Sequence, residues 1–207
     1  ILVIGPLLAK FNNAKVSLPG GCAIGARPVD LHLDFLSKSG YDNKVLKGYV
    51  VSKKRNLNDK VYYKFKNISV GATETSILNS CLSNREVLLK NIAIEPEVID
   101  LIKFLNETGA KIRFISKRSI LIRGVRILKG TKYKIMPDRI EAGTYIIASA
   151  ITNSSLILNN LLIDHIKNII NVLKKIGLKF TILSSTSIRV LPNKLKPIKV
   201  GTVPYPG

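Results

Sequence analysis

The chain has 207 residues, 46% of them hydrophobic, which is enough to bury a sizeable core in one large domain or two smaller ones. The opening apolar stretch, residues 1–9, is interrupted by Gly5 and Pro6 and falls short of the roughly 18 residues that cross a bilayer, so no membrane span is expected. With 33 Lys and Arg against 13 Asp and Glu, the net charge of +20 draws in anions of any kind. The cations are scattered as Lys-rich punctuation, with no basic tail and few aromatics for base stacking, which argues against nucleic acid as the partner.

Two cysteines, Cys22 and Cys81, cannot build a disulfide framework, so a reducing cytoplasm fits best. No basic leader precedes Ile1, and the chain reads as a portion of something longer.

In chain order, a short β-prone run at 16–18 is followed by a loop and an amphipathic stretch that ends at Gly40. Equivalent stretches end at Gly109 and Gly177, 69 and 68 residues further along, each with a leucine four residues before the glycine (Leu36, Leu105, Leu173). The apolar residues of the second, Val98, Leu101, Ile102 and Leu105, recur at helical spacing, and each glycine suits the left-handed position that closes a helix. Three helices in equivalent places are expected. The runs at 87–89 and 156–158 correspond to 16–18. After the glycines come strand-like segments: around 49–52 in the first copy, 110–115 and 120–122 in the second, 178–183 and 187–191 in the third. A further strand is expected at 61–65, 133–135 and 198–200, each leading into a turn-rich loop at 67–72, 136–143 and 202–207. In the first two copies an apolar helix begins directly after the loop. The unit is a mixed α/β module used about three times, and its recurring loops would gather at one end of a domain, where a composite site forms.

The densest unusual stretch is 18–32, with Pro19, Gly20, Gly21, Cys22, Gly25, Arg27 and Pro28. Its glycines bare the backbone amides, and Pro28 suits the first turn of the helix that follows. A thiol near its ordinary pKa of about 8.5 can donate a proton or, as thiolate, attack an electrophile. Arg27 offers a planar fork to phosphate or carboxylate. On spacing alone Cys22 reads equally well as a small residue in a tight turn. Ser69 reads as a helix N-cap or, with its neighbouring amides, as a phosphate contact. Glu95 and Glu97 suit the start of the helix near Pro96, and Asp138 with Arg139 reads as a structural pair or as support for a site. His32, His165 and Cys81 receive no chemical role.

The run from Pro19 to Cys22, followed by Ile24, Gly25, Ala26, Arg27, Pro28, Val29, Asp30, Leu31 and His32, resembles the active-site loop of the UDP-N-acetylglucosamine enolpyruvyl transferases. Further landmarks of that family follow in order: Ser69 to Thr73, Glu95 to Val98 with Asp100, Pro137 to Glu141 with Gly143 and Thr144, and Pro204 to Pro206. The resemblance implies an inside-out α/β barrel domain built from pseudo-threefold βαβαββ repeats. It divides the chain into 1–137, most of the domain that carries the cysteine loop, and 138–207, a third-repeat segment with the beginning of a second domain or an interdomain connection. The implied reaction moves the enolpyruvyl group of phosphoenolpyruvate to the 3-hydroxyl of UDP-N-acetylglucosamine, in the cytoplasm, with no metal and no cofactor. This is the first committed step of peptidoglycan precursor synthesis, and such enzymes are fosfomycin targets. Cys22 inherits the role of proton donor and potential covalent nucleophile. Arg27, Pro28, Val29, Asp30 and Leu31, and the loop Asn67, Ile68, Ser69, Val70 and Gly71, inherit nucleotide contacts, while Asp138, Arg139, Glu95 and Glu97 support them.

The chain departs from the family pattern in several places. An early Lys-Asn pair and the Phe-Pro-Thr-Asp sequence expected after Gly207 are absent, so the 207 residues alone are expected to be catalytically weak or inactive. Asn67 and Ile94 stand where relatives carry a basic residue. The competing readings are a shikimate-phosphate relative, against which the Cys22 loop argues, and a basic non-catalytic or nucleic-acid-binding repeat protein.

Overall fold

The structure, a computed structural model, describes residues 1–20, 28–56 and 59–206 and divides into two units, Ile1–Tyr133 and Lys134–Gly207. Cys22 and Arg27 lie outside the described residues.

In the first unit, the elements run α1 (Ile4–Phe11), β1 (Asn13–Ser17), α2 (Asp30–Lys38), β2 (Tyr41–Leu46), β3 (Tyr49–Lys54), β4 (Lys60–Lys64), α3 (Val70–Cys81), β5 (Glu86–Lys90), α4 (Pro96–Glu107), β6 (Lys111–Ser116) and β7 (Ser119–Arg123). Strands alternate buried and exposed residues, as in Ala14 and Val16 on β1 or Val61 and Tyr63 on β4, so each sheet has one apolar face. One sheet is antiparallel with order β1-β3-β2. The other has order β4-β5-β7-β6, with β4 and β5 parallel and the remaining pairs antiparallel. The first helix was not foreseen, because Gly5 and Pro6 read as breaks. Pro6 is the third residue of α1, within the first turn, where a missing N–H costs nothing.

At the centre is α3, packed against α1, α2 and α4. It was expected to be apolar, yet Thr73, Thr75, Ser76, Asn79 and Ser80 are all buried on it. A helix surrounded by other helices needs small side chains for close approach, and large ones are supplied by the sheets. Three of these hydroxyls are satisfied within the helix, where Thr73 Oγ1 donates to the Ser69 carbonyl at 2.7 Å, Ser76 Oγ to Ala72 at 2.8 Å and Ser80 Oγ to Ser76 at 2.7 Å, whereas Thr75 Oγ1 is buried with no partner among the described residues. Asn79 Nδ2 donates to the Tyr41 hydroxyl at 3.2 Å, and Arg85 Nη1 donates to the Ser39 carbonyl at 2.9 Å at the C-terminal end of α2.

The second unit contains α5 (Arg139–Ile151), β8 (Leu156–Asn159), α6 (Ile163–Ile176), β9 (Lys179–Ser184) and β10 (Ser187–Leu191). Its antiparallel sheet has order β8-β10-β9, and its core gathers Ile146, Ile166, Ile170, Leu173, Ile188 and Val190. The three repeated helices end as expected, with φ of +95° at Gly40, +100° at Gly109 and +116° at Gly177.

The last strand of the repeat forms only in the first copy. β4 has a parallel partner in β5, whereas residues 133–135 and 198–200 join no sheet and β8 pairs with β10 alone. Without a ladder, β-prone residues take other partners: the Tyr133 hydroxyl donates to the Asp100 carboxylate at 2.8 Å, and its ring packs edge-on against Phe104. Among the described residues, no helix is long and apolar enough to cross a membrane.

The α1–α3 crossing gives a direct test. A Cβ on Gly5 would lie 2.6 Å from the Thr75 carbonyl oxygen. Gly5→Ala is expected to lower stability by about 2 kcal/mol despite the better helix propensity of alanine, read as a fall in the urea midpoint. An unchanged midpoint would contradict the close crossing.

Candidate functional site

The first turns of α2, α3 and α4 come together at one end of the first unit. α2 is held to the second sheet by the Tyr63 hydroxyl, which donates to Asp34 Oδ2 at 2.7 Å, and by the edge-on contact of Phe35 with Tyr63. Its N-terminal turn has no side-chain cap. Asp30 opens the helix, exposed to solvent, with Pro28 exposed before it and Val29 and Leu31 partly packed on the core.

α3 starts at Ser69, whose Oγ accepts from the Ala72 amide at 3.3 Å. Asn67 is exposed, Ile68 and Val70 lean on the core, and the first backbone bond of the helix runs from the Thr73 amide to the Ser69 carbonyl. The amides of Val70 and Gly71 therefore precede the intrahelical ladder and face outward.

His32 joins these two helix starts. Its Nε2 would lie 3.1 Å from a Cβ on Gly71, so glycine is what lets the imidazole sit against the first turn of α3. The segments 28–31 and 69–71, remote in sequence, thus lie side by side. His32 is buried, and neither ring nitrogen has a hydrogen-bond partner among the described residues. Leaving such a group unpaired costs about 1–3 kcal/mol. Burial pushes its pKa below the ordinary value, favouring the neutral imidazole.

The α4 start is tied to α3 by the Ala93 amide, which donates to Thr73 Oγ1 at 3.1 Å. Glu95 is the N-cap residue of α4, yet its side chain does not cap the helix and its Oε2 is buried without a partner. Glu97 occupies the first turn, where a carboxylate complements the helix dipole. Glu74, on the second turn of α3, was not foreseen; burial first, and then Glu97 and Glu95, push its pKa up. Its signal was the register of α3, which places it four residues beyond Val70.

Asp138 and Arg139 belong to the second unit. Asp138 caps α5, with Oδ1 accepting from the Ile140 amide at 2.7 Å and the Glu141 amide at 3.2 Å, and the Arg139 guanidinium lies 5.4 Å from the Tyr205 ring centre. Ile94, half-buried, packs against the core of the first unit. Cys81 is a core residue whose thiol burial pushes up to about 12.

The sequence pattern of EPSP synthase (3-phosphoshikimate 1-carboxyvinyltransferase) matches residues 1–207. The chain belongs to this family. Within it, the UDP-N-acetylglucosamine 1-carboxyvinyltransferase of Pelagibacter ubique is 48% identical over 207 residues, covering 100% of this chain and 50% of the relative. An enzyme of that name, numbered 1, from Clostridium acetobutylicum is 44% identical over 207 residues, covering 100% of this chain and 49% of its own. The chain thus spans about half the length of the curated relatives it matches. Among solved structures, the enolpyruvyl transferase NikO of Streptomyces tendae superposes with a TM-score of 0.77 at 20% identity, over 95% of this chain and 48% of that one. EPSP synthase of Acinetobacter baumannii gives 0.65 at 15% identity, over 97% and 47%. The fold of the chain is that of the enolpyruvyl transferases.

The acidic group at the α3 and α4 starts carries a pH signature. Because the folded state raises the Glu74 pKa above its ordinary 4.5, Glu74 favours folding least at high pH: stability falls as pH rises from that value through the raised one. Glu74→Gln should therefore raise the melting temperature near pH 7.5 and lose that advantage near pH 4, measured by calorimetry across the range. A gain independent of pH would contradict the assignment.

Proposed function

We propose that the protein containing this chain transfers the enolpyruvyl group of phosphoenolpyruvate to the 3-hydroxyl of UDP-N-acetylglucosamine, releasing phosphate, as the first committed step of peptidoglycan precursor synthesis in the cytoplasm. The observation that carries this reading is the meeting of segments 28–31 and 69–71 at two adjacent helix starts. Two positive helix ends and outward-facing amides suit the diphosphate of a sugar nucleotide. The name borne by the relatives at 44–48% identity agrees with it.

In this reading Asp30, exposed at the mouth of α2, accepts from the uracil imide, and Leu31 and Pro28 flank the base. Ser69, Val70 and Gly71 face the diphosphate, with Asn67 and Ile68 shaping the approach. Arg27 meets anionic oxygens, and Glu95 and Glu97 border the sugar side. The Cys22 thiol gives its proton to the methylene carbon of phosphoenolpyruvate, leaving the adjacent carbon electrophilic. The sugar 3-hydroxyl oxygen adds there and releases its proton. Phosphate then departs as the new methyl group loses a proton, which restores the carbon–carbon double bond.

The full-length protein should release phosphate from phosphoenolpyruvate with UDP-N-acetylglucosamine as acceptor and not with 3-phosphoshikimate. Release with 3-phosphoshikimate alone would replace this reading by that of the family's other substrate.

The two cysteines should also separate chemically. Fosfomycin, a small anionic epoxide, should label Cys22 and spare Cys81, whose raised pKa leaves little thiolate at neutral pH. Cys22→Asp should remain active and resist the reagent, because a carboxylic acid still donates a proton but offers no thiolate. Peptide mass spectrometry and turnover assays read both results; a label on Cys81, or epoxide sensitivity in an active Cys22→Asp enzyme, would remove Cys22 from its role.

A further inference from the structure

The outward face of the four-stranded sheet β4-β5-β7-β6 is sorted into rows. Strand register places Tyr62, Leu88, Leu121 and Arg113 side by side, in a row that is apolar at all but its last position. Tyr62 is 61% exposed, and Leu88 and Leu121 are half-buried next to it. On one side of this row lie Lys60, Glu86, Arg123 and Lys111, and on the other Lys64 and Lys90. Alternation along the strands turns all of them away from the core, which takes Val61, Val87 and Ile122 instead. The lysines that look scattered in sequence are thus gathered into two basic rows with an apolar stripe between them.

A sheet gains nothing internally from this pattern. Lys64 neighbours Lys90 and Lys111 stands directly opposite Arg123, and like charges so placed repel. Among the described residues of the face, Glu86 is the one acid, and Arg123 Nε already holds its Oε2 at 2.9 Å. The Lys90 ammonium lies 5.2 Å from the centre of the exposed Tyr62 ring. An acidic partner would relieve the repulsion and cover the stripe.

The dimensions and the backbone select the kind of partner. In the middle of a sheet the backbone groups are used by the ladders, so an incoming extended strand finds no bonds there; a segment that satisfies its own backbone, a helix, does not need them. Rows two residues to either side of the stripe are about 13 Å apart, close to the roughly 10–12 Å diameter of a helix with its side chains. Single-stranded nucleic acid is disfavoured, since base stacking calls for several exposed rings and this face offers Tyr62 alone. We propose that this sheet face docks an amphipathic acidic helix of a partner protein, whose apolar side covers Tyr62, Leu88 and Leu121 and whose flanking carboxylates meet the two basic rows. The surface is separate from the enolpyruvyl-transfer site and does not rest on that reading.

The test uses the ¹⁵N-labelled full-length protein and a helix-stabilised synthetic peptide of about four turns, with leucines on one face and glutamates on both flanks. Fluorescence anisotropy reads its affinity, and backbone amide shifts locate it. The peptide should move the amides of residues 60–64, 86–90 and 119–123 along one saturating curve, and a counterpart carrying glutamine for glutamate should bind about tenfold more weakly. Lys64→Glu, which sets an acid beside Lys90, and Leu88→Gln should each weaken the acidic peptide about tenfold while keeping the wild-type melting temperature. Wild-type affinity in a folded Lys64→Glu protein, shifts lying outside these strands, or no binding at millimolar peptide would overturn the proposal. Tighter binding of an oligothymidylate of equal charge to the same strands would overturn it too, and would assign the face to nucleic acid.

Discussion

The central helix of the first unit is enclosed on all sides, and the rest of the unit follows from that constraint. A helix flanked by α1, α2 and α4 must keep its surface small, which is why α3 is lined with alanine, threonine and serine and why Gly5 faces the Thr75 carbonyl. Small side chains bury little apolar area, so the two sheets supply the large ones on their inward faces: Val50, Val61, Tyr63, Val87, Leu89, Ile120 and Ile122. Hydroxyls directed back to the preceding turn keep the buried helix free of unpaired donors over most of its length. Close packing also fixes where the helix begins. Ser69 caps it, Thr73 ties it to the residue before Ile94, and Gly71 admits His32.

The same packing concentrates electrostatic strain at one end. Three helix starts converge there, and two of them, those of α2 and α3, leave amides directed outward beside an unpaired imidazole. At the third, Glu95 and Glu97 lie near Glu74, whose pKa is pushed up by burial first and then by the two neighbouring charges. A positive surface and an acidic one therefore lie close together on the first turns of α3.

Much of the fold was legible in the sequence because its signals are local. Gly40, Gly109 and Gly177 mark helix ends whatever surrounds them, and alternation along 86–90 or 187–191 marks strands. The errors came from interactions that are not local. Residues 133–135 carry the β-branched and aromatic content of a strand, yet a strand needs a neighbour, and Tyr133 found Asp100 and Phe104 instead. α1 was hidden because proline and glycine break helices in their interior but are tolerated in a first turn packed against another helix. Of the site, the segments 28–31 and 69–71 were legible through resemblance, whereas their adjacency depends on tertiary packing. His32 was passed over because sequence cannot tell a satisfied buried histidine from an unsatisfied one. Cys22 and Arg27 remain known from sequence alone.

The central claim is that the α2 and α3 starts form one anion site. The most direct measurement is a titration of the ¹⁵N-labelled full-length protein with UDP, following the backbone amides of Asp30, Leu31, Val70 and Gly71. The account predicts that all four resonances move along a single saturating curve, with larger displacements than those of the exposed lysines. Movement confined to one helix start, or shifts spread over the lysine-rich surface with no saturation, would contradict it.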